Sequence, residues 1–154
     1  GDMIRNLGVV LSVVLIGAVA TLVGQQPQKP TVDVYKSATC GCCSKWVEHL
    51  QANGFTVRTT NREDLADLKA KYGVPRRVQS CHMAIVNGYV VEGHVPAADV
   101  QRLLKERPAI VGLAVPGMPI GSPGMEVQGR NAQPFDVLAF DKAGQTQVFA
   151  SHGK

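Results

Sequence analysis

The stretch VDVYKSATCGCCSKW, residues 32–46, joins a predicted β-strand to a predicted α-helix and places three cysteines between them. Residues 32–36 alternate apolar and polar side chains, which is typical of a strand with one buried face. Trp46 and Leu50 then recur at helical spacing, which predicts a helix over residues 41–53. The three thiols therefore lie at a helix N-terminus, where free N–H groups and the helix dipole favour the thiolate form.

The elements that follow extend this strand–helix unit into one domain. The patterns predict a strand at 55–60, a helix at 62–73, a hairpin of strands at 83–86 and 89–93, and a helix at 96–108. The resulting order, β-α-β-α-β-β-α, is the thioredoxin-like arrangement of a central mixed β-sheet flanked by helices. We therefore expect an α/β protein with a variant thioredoxin-like fold.

An apolar segment rich in glycine and proline, residues 110–134, follows this core and is called the cover segment below. Its glycines and prolines predict neither a helix nor a regular strand. No charged residue occurs from residue 110 to residue 125, which argues against a disordered linker, so we expect an ordered loop packed over the core. Residues 135–140 and 146–150 then predict a C-terminal β-hairpin, and residues 151–154 a frayed tail.

The N-terminal sequence predicts export from the cytosol. Arg5 precedes an apolar run over residues 7–23, within which Ala18-Val19-Ala20 offers the small residues of a cleavage site. The run is also nearly long enough to remain as an N-terminal membrane anchor. The sequence thus divides into a signal peptide or anchor at 1–24, a polar linker at 25–31, a folded domain at 32–150 and the tail.

Length and charge limit the remaining function classes. The chain of 154 residues is long enough for one domain with a hydrophobic core. Its net charge of +4 and pI near 9.0 are mild, and no cluster of lysine and arginine accompanies them. The sequence therefore predicts no nucleic-acid binding, and membrane contact only through an uncleaved leader.

Four cysteines carry the chemistry of this chain, and three of them are crowded together. Disulfides among these three would close very short loops, so structural stapling is unfavoured. Cys40 and Cys43 have the C-x-x-C spacing of thiol oxidoreductases, which favours dithiol exchange. Two features favour metal binding instead. Cys42 adds a thiol that would compete in exchange, and Cys81 occupies the loop where redox thioredoxin-like domains hold a cis-proline.

The predicted fold makes Cys81 face the other three thiols, so that four sulfurs converge to within roughly 4–7 Å. Four thiolates can hold Zn(II), an iron–sulfur cluster or Cu(I). Zinc sites usually draw on two separated cysteine pairs, and an iron–sulfur cluster would have to be loaded before export. Copper(I) is soft and prefers cysteine and methionine, so the sequence favours copper.

Two methionines and two histidines are candidate auxiliary ligands. Met118 and Met125 occur in a repeated P-G-M triplet within the cover segment, and His82 and His94 are the histidines nearest the predicted thiol site. Each has a plainer interpretation, because a methionine in an apolar loop often packs and a single histidine often forms an ordinary hydrogen bond. Met83 begins a predicted strand and is expected in the core.

Three segments, YKSATCGCCSKW, SCHMAIVNGYVVEGHVPA and GLAVPGMPIGSPGME, together resemble the CopG-type copper-resistance proteins. These form a family of small bacterial exported metal-binding domains. The resemblance implies a periplasmic protein with a variant thioredoxin-like fold that binds copper as a multinuclear Cu(I) or mixed-valence cluster. The ligands that it implies are Cys40, Cys42, Cys43 and Cys81, and the family's H-V-P and P-G-M elements match His94, Met118 and Met125.

The resemblance further implies a role in copper resistance, redox handling of copper between Cu(I) and Cu(II), and a periplasmic copper exporter or copper oxidase as partner. Two alternatives stay open. One is a periplasmic thiol–disulfide oxidoreductase that uses Cys40 and Cys43, and the other is a scaffold whose cover segment docks a partner. Substitution of Cys42 separates the first alternative from copper binding, because a dithiol enzyme does not need that thiol.

Overall fold

The computed structural model of the protein describes residues 28–154. The predicted leader and the first three residues of the predicted linker, residues 25–27, lie outside the described residues. Within residues 28–154, no helix has the length and the apolar character that a membrane crossing requires.

Every predicted helix and strand is present, with bounds within three residues of the expected ones. The elements are β1 (Thr31–Lys36), α1 (Gly41–Ala52), β2 (Thr56–Asn61), α2 (Leu65–Lys71), β3 (Met83–Val86), β4 (Tyr89–Glu92), α3 (Ala97–Glu106), β5 (Gly112–Ala114), β6 (Phe135–Phe140) and β7 (Thr146–His152). A short 3-10 helix, Arg76–Val78, precedes β3.

All seven strands form one mixed sheet, in the order β2-β1-β3-β4-β5-β6-β7. The pairs β1/β2 and β4/β5 are parallel, and the other neighbouring pairs are antiparallel. The predicted mixed sheet is thereby confirmed, and the C-terminal hairpin continues the same sheet. The parallel β1/β2 pair requires a crossover connection, which α1 supplies.

Helices cover both faces of the sheet. Because successive side chains of a strand point to opposite faces, Val34 and Tyr35 of β1 belong to different apolar clusters. The cluster around Val34 includes residues of α1 and α3, whereas the cluster around Tyr35 includes Leu68 of α2. Trp46 of α1 is fully buried in the first cluster and so fixes the helix that begins with the thiols. Each large apolar side chain buried in this way contributes about 1.5–3 kcal/mol.

The prediction that residues 110–134 contain no regular strand is wrong at β5. This short strand pairs with β4 on one side and with β6 on the other, and so connects the two halves of the sheet. Gly112 permits the pairing, because a Cβ atom there would lie 2.0 Å from the carbonyl oxygen of Val90. Leu113 and Ala114 are fully buried. The rest of the cover segment, residues 115–134, contains no helix or strand, as predicted.

Strand β7 extends through Ser151 and His152, two residues beyond the predicted hairpin. The Nε2 atom of His152 lies 2.7 Å from Oδ2 of Asp99, which is in the first turn of α3. The imidazole ring of His152 also stacks on Phe135 at a centroid distance of 5.0 Å. These contacts fix the position of residues 151 and 152, for which the sequence predicted a frayed tail.

Candidate metal centre

The junction of β1 and α1 presents the first three thiols as predicted. Cys40 is the N-cap residue of α1, with extended backbone angles, and Cys42 and Cys43 lie in the first helical turn. The N–H of Ser44 donates to the carbonyl of Cys40, which begins the helix at this point. Cys43 is fully buried, whereas Cys40 and Cys42 are partly exposed.

The antiparallel pairing of β1 with β3 brings the fourth thiol to the same end of the sheet. Tyr35 is opposite Met83, so Cys81, two residues before β3, comes beside the loop that follows β1. The four sulfur atoms all lie within 4.8 Å of one another. The predicted convergence of the four cysteines is therefore present.

Two of these thiols are joined, since Cys40 and Cys43 form a disulfide. Cys42 and Cys81 remain as thiols, and the Sγ atom of Cys42 lies 3.5 Å from that of Cys40. A bridge between residues three positions apart closes a very small loop and so constrains the unfolded chain little. Two electrons must reduce this disulfide before all four sulfurs can act as thiolate ligands.

Cys81 differs from the thiols of the helix N-terminus in its electrostatics. Burial raises its pKa to about 11, with a smaller rise from the nearby Cys42 and an opposing effect of the Ser80 hydroxyl. In the metal-free protein Cys81 is therefore a neutral thiol at neutral pH. A soft cation has to displace this proton, so metal binding here releases a proton and depends on pH.

His94 points a ring nitrogen at Cys81. Its Nδ1 atom lies 2.7 Å from the carbonyl oxygen of Pro123, which can only accept, so Nδ1 carries the proton. The Nε2 atom then carries the lone pair and lies 3.1 Å from the Sγ atom of Cys81. Burial lowers the pKa of His94, and the bond to Pro123 partly offsets this effect. A neutral imidazole with a fixed tautomer is the form in which histidine binds metals.

His82 lies on the other side of Cys81 and is fully buried. Its Nδ1 atom is 3.3 Å from the Sγ atom of Cys81, and its Nε2 atom has no hydrogen-bond partner within residues 28–154. Its ring packs against that of Trp46 at a centroid distance of 4.4 Å. Burial lowers the pKa of His82 well below its usual value, and the nearby His94 and Lys69 lower it further. Both candidate histidines therefore contact Cys81 in neutral form.

The two candidate methionines have different positions. Met118 is half exposed, and its Sδ atom lies 4.0 Å from the Sγ atom of Cys42. Met125 contributes through its backbone, which closes a turn by donating to Ser122 and accepting from Gly121. Met83 is fully buried in the core, as predicted. The structure therefore brings Met118 to the thiols, at the solvent side of the site.

The cover segment packs directly on the first turn of α1. Gly124 has a φ of +89°, and a Cβ atom there would lie 2.7 Å from the carbonyl oxygen of Cys42, 2.9 Å from the backbone nitrogen of Trp46 and 3.2 Å from Nδ1 of His94. Only glycine allows this conformation together with so close an approach. The expected ordered loop is thus seated on the helix that carries the thiols.

Sequence reasoning missed a buried ion pair beneath Cys81. Lys69 of α2 lies with its Nζ atom 2.6 Å from Oε1 of Glu92, at the end of β4, and both side chains are almost fully buried. Burial raises the pKa of Glu92 to about 7, against the opposing effect of Lys69. A helical lysine and a strand glutamate far apart in sequence carry no local signal of pairing, and only their placement toward the core side of each element could have suggested it.

The remaining two histidines, His49 and His152, make structural contacts. The Nε2 atom of His49 accepts the N–H of Ala97 at 3.0 Å and thereby links α1 to the start of α3. Burial lowers the pKa of His49. His152 contacts Asp99, as described above.

Comparisons with known proteins agree with this architecture. Residues 78–125 match the family described as "Protein of unknown function, DUF411". Two solved structures, both of the copper resistance protein copG, resemble the chain over most of its length. Form 2 is 45% identical, with a TM-score of 0.77, and the match covers 81% of this chain and 99% of that one. Form 1 is also 45% identical, with a TM-score of 0.76, and the match covers 82% of this chain and 100% of that one. No curated protein matches the chain significantly.

The fold and the site define a small α/β domain with a cysteine cluster at one end of its sheet, and the two matched structures agree with the chain over most of this domain. The chain belongs to the CopG-type family. The resemblance found in the sequence is thereby confirmed.

Proposed function

We propose that the protein binds copper for copper resistance, through the thiolates of four cysteines: Cys40, Cys42, Cys43 and Cys81. The observation that carries the proposal is the approach of their four sulfur atoms to within 4.8 Å, although they come from two separate segments of the chain. Sulfurs at this separation can share one ion or bridge several. The names of the two related structures, both copper resistance proteins, support copper over other soft metals.

The number of thiolates favours a multinuclear site. Four thiolates around one Cu(I) ion would leave a net charge of about −3 in a partly buried pocket, which is costly. Several Cu(I) ions, each shared between neighbouring sulfurs, reduce that charge. The proposed site is therefore a cluster of Cu(I) ions, or of ions in both oxidation states. Its candidate auxiliary ligands are Met118 beside Cys42, and His94 and His82 beside Cys81. Met125 is also proposed as an auxiliary ligand, and its P-G-M sequence motif is the support for that assignment.

The disulfide gives the proposed site a route to redox chemistry. Two Cu(II) ions can each take one electron from the thiolates of Cys40 and Cys43, which become a disulfide while two Cu(I) ions form. In the reverse direction two Cu(I) ions reduce the disulfide and become two Cu(II) ions. Addition of Cu(II) to the reduced protein without oxygen should consume one thiol for each Cu(I) formed, counted with a Cu(I)-specific chelator. Loss of thiols without formation of Cu(I) would contradict this step.

The fold and the location form part of the same proposal. The strand order β2-β1-β3-β4, with β3 antiparallel to β1, supports a thioredoxin-like core to which β5, β6 and β7 are added. The leader predicted at residues 1–24 supports export to the periplasm, with the protein either released or anchored. A copper exporter or a copper oxidase of that compartment would receive the ions.

The test is a copper and thiol count on protein that is reduced and loaded with Cu(I) in the absence of oxygen. We expect more than one copper per chain, and a loss of most of it in both Cys42→Ser and Cys81→Ser. Ser44→Ala is the matched control, because it removes a hydroxyl from the same helical turn without removing a sulfur. Copper binding that survives in both cysteine variants would overturn the shared site.

A second candidate function, thiol–disulfide exchange, is favoured by the Cys40–Cys43 disulfide itself. A protein of this kind needs Cys40 and Cys43 and can dispense with Cys42. Cys42→Ser therefore separates the two candidates. Two results would together favour thiol–disulfide exchange. Cys42→Ser would reduce a substrate disulfide at the wild-type rate, and the wild type would hold no copper tightly.

A further inference from the structure

The segment that carries Cys81 has no proline to fix its backbone, and within the described part of the chain no peptide bond is cis. Its conformation must therefore be set by contacts. The residue before Cys81 is Ser80, and both of its backbone polar groups are bound to the buried ion pair. The N–H of Ser80 donates to Oε1 of Glu92 at 2.7 Å, and the ammonium of Lys69 donates to the carbonyl of Ser80.

The same residue is packed on its other sides. The hydroxyl of Ser80 donates to the carbonyl of Gly117 in the cover segment, next to Met118. The side chain of Ser80 also packs directly on Gly93, because a Cβ atom at Gly93 would lie 2.7 Å from Cβ of Ser80 and 2.7 Å from the carbonyl oxygen of Val115. A shift of Ser80 would therefore displace two parts of the site at once, Cys81 and the loop that carries Met118.

The ion pair itself is poorly suited to stabilising the fold. The second oxygen of Glu92, Oε2, is buried and has no hydrogen-bond partner within residues 28–154. Burying two charges is costly, and apolar residues of similar volume are often at least as stabilising in such a position. A buried pair of this kind is better explained by the geometry that it imposes on Ser80 than by its contribution to stability.

We propose that Lys69 and Glu92 are positioning residues that hold Cys81 against the other three cysteines, in place of the proline that fixes the corresponding loop in redox thioredoxin-like domains. The proposal rests on the proposed function for its purpose, since a displaced Cys81 would leave the copper site with three sulfurs. Its geometric part concerns the metal-free protein and can be tested without copper.

The first experiment measures how fast iodoacetamide alkylates each thiol, with peptide mass spectrometry to separate the sites. In the oxidised protein only Cys42 and Cys81 can react, because Cys40 and Cys43 are joined. In Lys69→Met/Glu92→Met we expect the rate at Cys81 to rise about tenfold or more, since a released thiol is more exposed to the reagent. The rate at Cys42 should rise by a smaller factor, because α1 is not held by the pair and only the neighbouring Met118 loop moves with Ser80.

Two further variants keep the test decisive. Lys69→Met alone removes the donor to the Ser80 carbonyl and leaves the acceptor for the Ser80 N–H, so it should raise the Cys81 rate by a smaller factor even if the double variant fails to fold. Asp33→Asn is the matched control, because it breaks the exposed ion pair with Arg58 and should leave both rates unchanged. A Cys81 rate equal to that of the wild type in folded Lys69→Met would overturn the proposal.

The second experiment counts Cu(I) on the same reduced variants. We expect Lys69→Met/Glu92→Met to hold less copper than the wild type at equal thiol content, and a full complement of copper in that folded variant would overturn the positioning role. If the wild type also holds no copper, the proposed function fails. The alkylation rates then still decide whether Lys69 and Glu92 position Cys81.

Discussion

Gly124 is the position at which one methyl group should disturb the candidate metal centre most specifically. It has a φ of +89°, and a Cβ atom would meet two backbone atoms of α1, the carbonyl oxygen of Cys42 at 2.7 Å and the nitrogen of Trp46 at 2.9 Å. Gly124→Ala should therefore push the cover segment away from the thiols. Gly129 provides a matched control in the same segment, because its φ is +76° and nothing lies within 4 Å of its Cβ position.

The two substitutions share one energetic cost and differ in a second. An alanine at positive φ costs about 1–2 kcal/mol, which both variants incur. Only Gly124→Ala adds the overpacking against the backbone of α1, which costs about 1–3 kcal/mol. We expect Gly129→Ala to lower the free energy of unfolding by about 1–2 kcal/mol and Gly124→Ala by about 2–5 kcal/mol.

Urea denaturation of the oxidised, metal-free protein measures these differences. Alkylation of Cys42 and Cys81 with iodoacetamide then shows whether the additional loss is located at the site. Both rates should rise in Gly124→Ala and stay at the wild-type values in Gly129→Ala. Equal losses of stability in the two variants, with unchanged alkylation rates, would refute the contact between the cover segment and α1.

Three further predictions concern β5, the pH dependence of stability and the exposed thioether. Gly112→Ala should cost about 3 kcal/mol or more in a urea titration, because the new Cβ would meet the backbone of β4, and an unchanged midpoint would contradict that pairing. His49→Leu should cost about 1 kcal/mol near pH 7.5 by loss of the acceptor for the Ala97 N–H. That difference should shrink toward about pH 5, because the lowered pKa of His49 makes the wild type lose stability as the pH falls below 6.5, and a constant difference would disprove this linkage. Met118→Leu should weaken Cu(I) binding about tenfold in chelator competition, whereas an unchanged affinity would assign Met118 to packing alone.

The thiols of α1 could be located from sequence because the signals are local. Alternation over residues 32–36 gives the strand, and the spacing of Trp46 and Leu50 gives the helix whose first turn carries the cysteines. Cys81 needed one further step, the antiparallel return of β3 beside β1, which the order of elements implies. These parts of the site follow from periodicity and topology together.

The parts that were missed depend on contacts between distant residues. In the sequence, Gly112 is indistinguishable from a loop glycine. The structure shows that the carbonyl of Val90 occupies the space that a side chain at position 112 would need. Lys69 and Glu92 read as ordinary polar residues of a helix and a strand, and only the folded chain shows that both are buried against Ser80. Periodicity reports which face of an element is buried, whereas it does not report which polar groups meet there.

X-ray absorption at the copper edge, on reduced protein loaded with Cu(I), shows directly whether the four thiolates share several copper ions. We expect a first shell dominated by sulfur and a second contribution from neighbouring copper ions, with the copper–copper contribution lost in Cys81→Ser. A shell of nitrogen and oxygen around isolated copper ions would contradict the four-thiolate cluster.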